Sequence, residues 1–264
     1  MIKRLELDRG VVVYASTLLS ELGVRHAFST RIGGVSSTPF DSMNLGNPNG
    51  CEIQDESDRI ATNYRMLQEA VGFVSGERVW VHQVHGKTVM RASADAPFDR
   101  SAKADAIVSD DPRRILSIRV ADCVPVLLAG DGGRVVAAVH AGWRGVVAGV
   151  VPEALREMNV DPQSCVAAIG PSISMENFEI GPEVIANFKE TMGERAPVSE
   201  RENGKGHVDL RAAIALQLAK AGLSQSRIDV TDRCTFRDRE EFFSHRRDRG
   251  ITGRMAALIQ CKSA

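Results

Sequence analysis

Apolar residues along the chain fall mostly into short runs, and only in a few stretches into spacings of three and four. Near the N-terminus the runs VVVYA and VRHAFS predict two or three short strands before residue 29. Ser29 to Ser36 then carries paired glycines in a tight turn, and residues 39–50 are too dense in Asn, Gly and Pro for regular structure. Ile60, Leu67 and Val71, with Tyr64 between them, form one helical stripe over residues 56–71, and Gly72 is placed to end it. Residues 78–82 and 87–92 read as consecutive strands around Gln83-Val84-His85-Gly86. Residues 115–128 read as one long strand interrupted near Cys123-Val124-Pro125, because proline cannot donate a ladder hydrogen bond. A glycine-rich hairpin turn at 130–133 leads into residues 135–139, a nearly continuous apolar run of the kind covered on both faces. A helix is predicted from about 145 to 158.

Downstream, residues 166–169 predict a buried strand and 182–192 a helix with proline in its first turn. Asp209 is a cap for a helix that Gly222 stops; strands follow at 228–231 and 255–259. Strands and helices alternate after a β-rich start. The expected class is therefore α/β with α+β character, as one domain over residues 1–264 whose mixed β-sheet is covered by helices.

Charge narrows the partners. With 33 basic against 34 acidic residues, and neither sign concentrated, the electrostatic case for nucleic acid or an anionic membrane is missing, and a small molecule is the expected partner. The five cysteines are odd in number and form no CxxC pair, so they do not form a disulfide framework. Acidic residues follow the basic start at once, and no apolar stretch is long enough to span a bilayer. These features predict a reduced, cytoplasmic protein.

Within that frame, residues 105–149 hold the residues a structural strand does not ask for. Cys123 sits beside Asp122 and Pro125, and His140 is followed by Gly142, Trp143 and Arg144. Cys123, His140 and His85 all fall at strand ends, where sites in such folds collect. One cysteine and two histidines suit a catalytic zinc with an open fourth position. The spacing alone is weak support: Cys123 can be a buried small apolar residue, His140 a core histidine, or the two a metal-free nucleophile pair. His82 competes with His85, since residues three apart on an extended strand face opposite sides. Arg31, Arg144 and the pair Arg246-Arg247 offer guanidinium forks for phosphate, or else exposed charges. Phe242, Phe243 and Trp143 can stack on a heterocycle or anchor the packing.

Taken together, STRIGGVS (29–36), NLG (44–46), QVHG (83–86), ADA (104–106), ADCVPVLL (121–128), AAVHAGWRG (137–145), IGPSIS (169–174), FEIG (178–181), DRCTF (232–236), FFSHRRD (242–248) and TGRM (252–255) closely resemble the YfiH-type, laccase-domain purine nucleoside phosphorylases. The resemblance spans nearly the whole chain apart from the polar segment 194–207. It implies an α/β/α-type single domain and a zinc bound by His85, Cys123 and His140. It also implies a pocket for a purine nucleoside with phosphate, with phosphorolysis of adenosine, inosine, guanosine and methylthioadenosine and deamination of adenosine. On this basis Cys123, Asp122 and Arg144 are expected to serve the chemistry, and Arg31, Asn44, Gln83, Phe243 and Arg247 to contact substrate. Asp122 is the expected carboxylate for proton transfer or for support of the metal ligands. Two further activities attach to the family, copper-dependent oxidation of polyphenols and hydrolytic editing of a cell-wall precursor. Copper suits the same ligands. A trinuclear copper centre, however, needs clustered histidines, and the six here include no His-x-His pair, which ranks oxidation second.

Overall fold

A computed structural model of the chain describes every residue but 49, 74, 95 and 264. The strands are β1 (Ile2–Glu6), β2 (Val12–Ser16), β3 (Arg25–Ser29), β4 (Glu77–Val79), β5 (Val89–Arg91), β6 (Ala106–Ser109), β7 (Arg114–Val120) and β8 (Val124–Gly130). They continue with β9 (Val135–Ala141), β10 (Val166–Ile169), β11 (Glu179–Ile180), β12 (Val198–Glu200), β13 (Gly206–Val208), β14 (Ile228–Val230) and β15 (Met255–Gln260). The helices are α1 (Thr17–Glu21), α2 (Ser57–Val71), α3 (Trp143–Ala148), α4 (Val150–Met158), α5 (Pro182–Met192) and α6 (Leu210–Lys220).

The mixed α/β class holds, with two large sheets rather than one. The first is ordered β1-β2-β3-β15-β7-β4, the second β14-β10-β8-β9-β6-β5, and a small third is β11-β13-β12. One apolar cluster, including Phe28, Ile118, Leu127 and Ala138, fills the space between the two large sheets. A second, with Val126, Val139, Leu155 and Phe188, lies between the second sheet and α3 to α6. A third, with Val13, Leu67 and Leu258, lies under α2. Strand β8 is buried at all seven positions because it has a sheet on one face and helices on the other. Each large aliphatic side chain buried there contributes about 1.5–3 kcal/mol, so the strand ends carrying the site are anchored in the core. Among the described residues no helix is long and apolar enough to cross a membrane.

Two local expectations need revision, and one of them shapes the site. Residues 115–128 are two strands in different sheets: β7 and β8 are separated by a turn at which Asp122 has φ +85°. Pro125 does not interrupt the second strand; it pairs with His140 inside it. The consecutive strands β4 and β5 also lie in different sheets, β4 pairing with β7 and β5 with β6. The chain thus passes from the first large sheet to the second between β4 and β5 and again between β7 and β8. The predicted helix over 145–158 is α3 and α4, broken at Gly149 with φ +81°. The Asp209 cap is present, its carboxylate accepting from the Ala212 backbone N–H. The segment 194–207 lies outside the motifs and contributes β12 and the start of β13.

Candidate metal centre and active site

Both of these passages deliver a candidate ligand. His85 lies on the passage from β4 to β5, Cys123 on the passage from β7 to β8, and His140 near the end of β9. Their donor atoms all lie within 4.8 Å of one another. Cys123 Sγ is 3.8 Å from His85 Nε2, and the two imidazole rings meet edge to face with centroids 4.9 Å apart. One thiolate and two imidazoles suit zinc, and the spacing is close to what a single ion with bonds of about 2.0–2.3 Å requires. His82 is not part of the group; it forms a bridge with Lys103 and lies to one side of the cavity.

Asp105, fully buried, organises the triad. Its Oδ1 accepts from His140 Nδ1 at 2.8 Å and from the His85 backbone N–H at 2.9 Å, and Oδ2 accepts from the Gly86 N–H at 2.6 Å. Its backbone carbonyl also accepts from the His140 N–H. One carboxylate therefore fixes the His140 ring, leaving Nε2 free to bind, and holds the turn in which His85 takes φ +61°. The sequence reading gave this supporting role to Asp122. In the structure Asp122 accepts from Thr235 Oγ1 and from the Arg246 backbone N–H, tying two distant loops to the cavity rim. The ADA motif and the position of Asp105 opposite His140 were the available signals, and both depend on knowing that β6 pairs with β9.

Gly142 supplies the space. A Cβ there would lie 2.7 Å from His85 Cδ2 and 3.1 Å from Cys123 Sγ. Since its backbone is ordinary extended conformation, Gly142→Ala tests closeness and not strain. The substitution is expected to weaken metal binding by about 10–100-fold, as for lost support around a ligand set; equilibrium metal titration with unchanged affinity would refute it.

The triad also sets its own charge. Burial pushes the Cys123 thiol up, but the His140 charge and hydrogen bonds from His140 and His85 outweigh it and bring the thiol below its usual range. Burial likewise disfavours a charged His140, and the Cys123 charge with the Asp105 hydrogen bond overrides that and raises it. A lowered thiol keeps its reactive thiolate as pH falls through neutrality. In chelator-stripped protein, iodoacetamide at pH 7 is expected to alkylate Cys123 before Cys165, Cys234 and Cys261, which are buried, and before Cys51, with added zinc protecting it. Equal rates at Cys123 and Cys51 by peptide mapping would contradict this.

The triad borders a cavity of about 330 Å³. Its wall carries Arg119, Arg144, Arg246 and Arg254, and among the described residues none has a carboxylate within ion-pair distance. Arg144 lies over the Trp143 ring at 4.5 Å and Arg246 over Phe178 at 5.0 Å, so aromatic faces hold the guanidinium groups in place. Burial pushes Arg254 below its ordinary range, and the like charge of Arg119 adds to it. Uncompensated guanidinium groups converging on one cavity make a site for an anion.

The sequence profile of the family described as multi-copper polyphenol oxidoreductase laccase matches residues 25–262. The chain belongs to this laccase-domain family. It is 40% identical over 237 residues to purine nucleoside phosphorylase YfiH of Shigella flexneri, covering 90% of this chain and 93% of that one. It is 38% identical over 242 residues to a purine nucleoside phosphorylase of Deinococcus radiodurans, covering 90% of this chain and 89% of the relative. The fold superposes on the crystal structure of YlmD from Geobacillus stearothermophilus with a TM-score of 0.85 at 30% identity, over 97% of each chain.

In this laccase-domain chain the other predicted contacts divide. Gln83 and Arg144 line the cavity, although Gln83 uses both ends of its amide on the Arg119 backbone. Arg31, Asn44, Phe243 and Arg247 do not line it. Arg31 bonds to Asp41 and the Arg239 carbonyl while lying over Phe243, which is fully buried. Asn44, also buried, bridges Asp55 and the backbone N–H groups of Gly46 and Arg254. Arg247 spends its donors on Asp248 and on the carbonyls of Thr235, Phe236 and Phe242. These four shape the loops, and Arg119, Arg246 and Arg254 take the cavity positions. Between adjacent Arg246 and Arg247, sequence cannot say which faces inward.

Proposed function

We propose that the chain is a zinc-dependent purine nucleoside phosphorylase acting on inosine and adenosine, with adenosine deamination as a second activity of the same cavity. The observation that carries this reading is the convergence of His85, Cys123 and His140 with four arginines that have no carboxylate partner. A zinc ion held by the triad supplies Lewis acidity toward an oxygen of phosphate or substrate. The chain's own residues do the rest. Arg144 and Arg246, pinned on Trp143 and Phe178, hold phosphate against the sugar, which turns an encounter of two solutes into a reaction within one complex. As the phosphate oxygen bonds to C1′ and the bond to the purine nitrogen breaks, negative charge moves onto the base, and Arg254 and Arg119 lie in the same cavity to offset it. Trp143 and Phe178 offer faces for the purine. Asp122 fixes the backbone of Arg246 and thereby the phosphate side of the cavity.

The single convergent group of ligands among the described residues favours this reading over phenol oxidation by several coppers. Chromatography of inosine and adenosine reactions, with and without phosphate, tests it. Hypoxanthine with ribose 1-phosphate, formed only when phosphate is present, is the expected result from inosine. Hydrolysis independent of phosphate, or no turnover by folded, zinc-replete protein, would overturn it.

A further inference from the structure

A second cavity, of about 340 Å³, adjoins the first and shares Arg119 and Asn47 with it. Its described lining contains no carboxylate but holds a second arginine, Arg78. The Arg78 guanidinium lies 3.5 Å from the centroid of the Tyr64 ring and 4.3 Å from that of Trp80. Among the described residues it has neither a hydrogen-bond acceptor nor an ion-pair partner, and the same holds for the Arg119 side chain. The Tyr64 hydroxyl, shut away from solvent, also has no partner. Burial and the neighbouring charges of Arg119 and Arg100 all oppose the charge on Arg78, although the nearby Tyr64 favours it.

The NLG motif accounts for the arrangement. A Cβ at Gly46 would lie 2.8 Å from Arg119 Cδ and 3.0 Å from its Nη1, so glycine at this position lets Arg119 cross between the cavities. Two half-buried guanidinium groups, held apart by stacking and left with unused donors, form a fork for a strong anion; a neutral sugar or base would leave both charges uncompensated.

We propose that the second cavity binds a phosphoryl group carried by a ligand whose nucleoside end occupies the first, so that the site takes nucleotides such as ADP as well as nucleosides. The nucleoside half rests on the phosphorylase reading; the anion site does not. Calorimetric titration of the full-length zinc-loaded protein with adenosine, ADP and inorganic pyrophosphate separates the two. ADP is expected to bind at least about 10-fold tighter than adenosine at low salt. Arg78→Gln is expected to remove that gain and to weaken pyrophosphate by at least about 10-fold, leaving only what the arginines of the first cavity hold, with adenosine affinity unchanged. Gly46→Ala, which displaces Arg119 without altering Arg78, is expected to weaken pyrophosphate as well, and guards against a folding defect confined to Arg78→Gln. The proposal fails if ADP binds no tighter than adenosine, if pyrophosphate affinity is unchanged by both substitutions, or if Arg78→Gln weakens adenosine and ADP equally. Pyrophosphate binding that depends on Arg78, with no adenosine binding, would uphold the anion site and overturn the nucleoside reading alone.

Discussion

Cys123→Ala protein is expected to lose stoichiometric zinc and, with it, nucleoside turnover. A closed four-ligand zinc site is worth about 10–16 kcal/mol, so one of its ligands carries roughly a quarter, and removing the thiolate lowers affinity by about 10²-fold or more. Cys123 is also the softest donor of the triad and the one that most favours zinc over magnesium or calcium. The fold should survive. Cys123 is only partly buried and lies on the turn between β7 and β8, so little core packing is removed with its sulfur. Elemental analysis of the purified variant, with its thermal midpoint as a control, reads the result. Undiminished zinc at one ion per chain would show that the ligand set is wrong.

The second large effect is expected at Asp105. Asp105→Ala removes the acceptor for His140 Nδ1 and for the backbone N–H groups of His85 and Gly86. Buried groups left unpaired in this way cost about 1–3 kcal/mol each, and breaking a buried charged pair costs about 3–5 kcal/mol, so both stability and metal affinity should fall. Asp105→Asn keeps the shape but presents an amide N–H₂ to groups that are themselves donors. It is expected to weaken zinc by about 10–100-fold with a smaller stability loss. Denaturant unfolding and zinc titration of both variants separate the two roles. An Asp105→Asn protein with wild-type zinc affinity would contradict the positioning role.

These two residues also mark how far the sequence could be read. The candidate ligands were legible because a cysteine and histidines at strand ends are chemically conspicuous, and family motifs selected His85 over His82. Asp105 was not, because its partners are His140, at a sequence distance of 35, and a turn reached through a different sheet. The same limit explains the single long strand expected over 115–128: a run of apolar residues reads alike whether it stays in one sheet or crosses to another. What breaks it is the positive φ of Asp122, which no propensity announces. Helices α2, α5 and α6 emerged close to their expected bounds because their stripes, caps and stops are local. Arginines were the least legible. Arg31 and Arg247 stand in conspicuous motifs yet close on carboxylates as well as carbonyls, whereas Arg254, within TGRM, meets among the described residues only the Thr252 and Gly253 carbonyls and lines the cavity. An arginine's role is set by whether its neighbours already satisfy it, and that is a property of the folded chain.

The His85, Cys123 and His140 triad and the surrounding arginines are proposed to form one phosphorolytic site. It is tested most directly by titrating zinc back into chelator-stripped protein while following hypoxanthine release from inosine. Release is expected to require phosphate, to rise in proportion to bound zinc and to level off at one ion per chain. Full turnover by stripped protein, or turnover indifferent to phosphate, would contradict it.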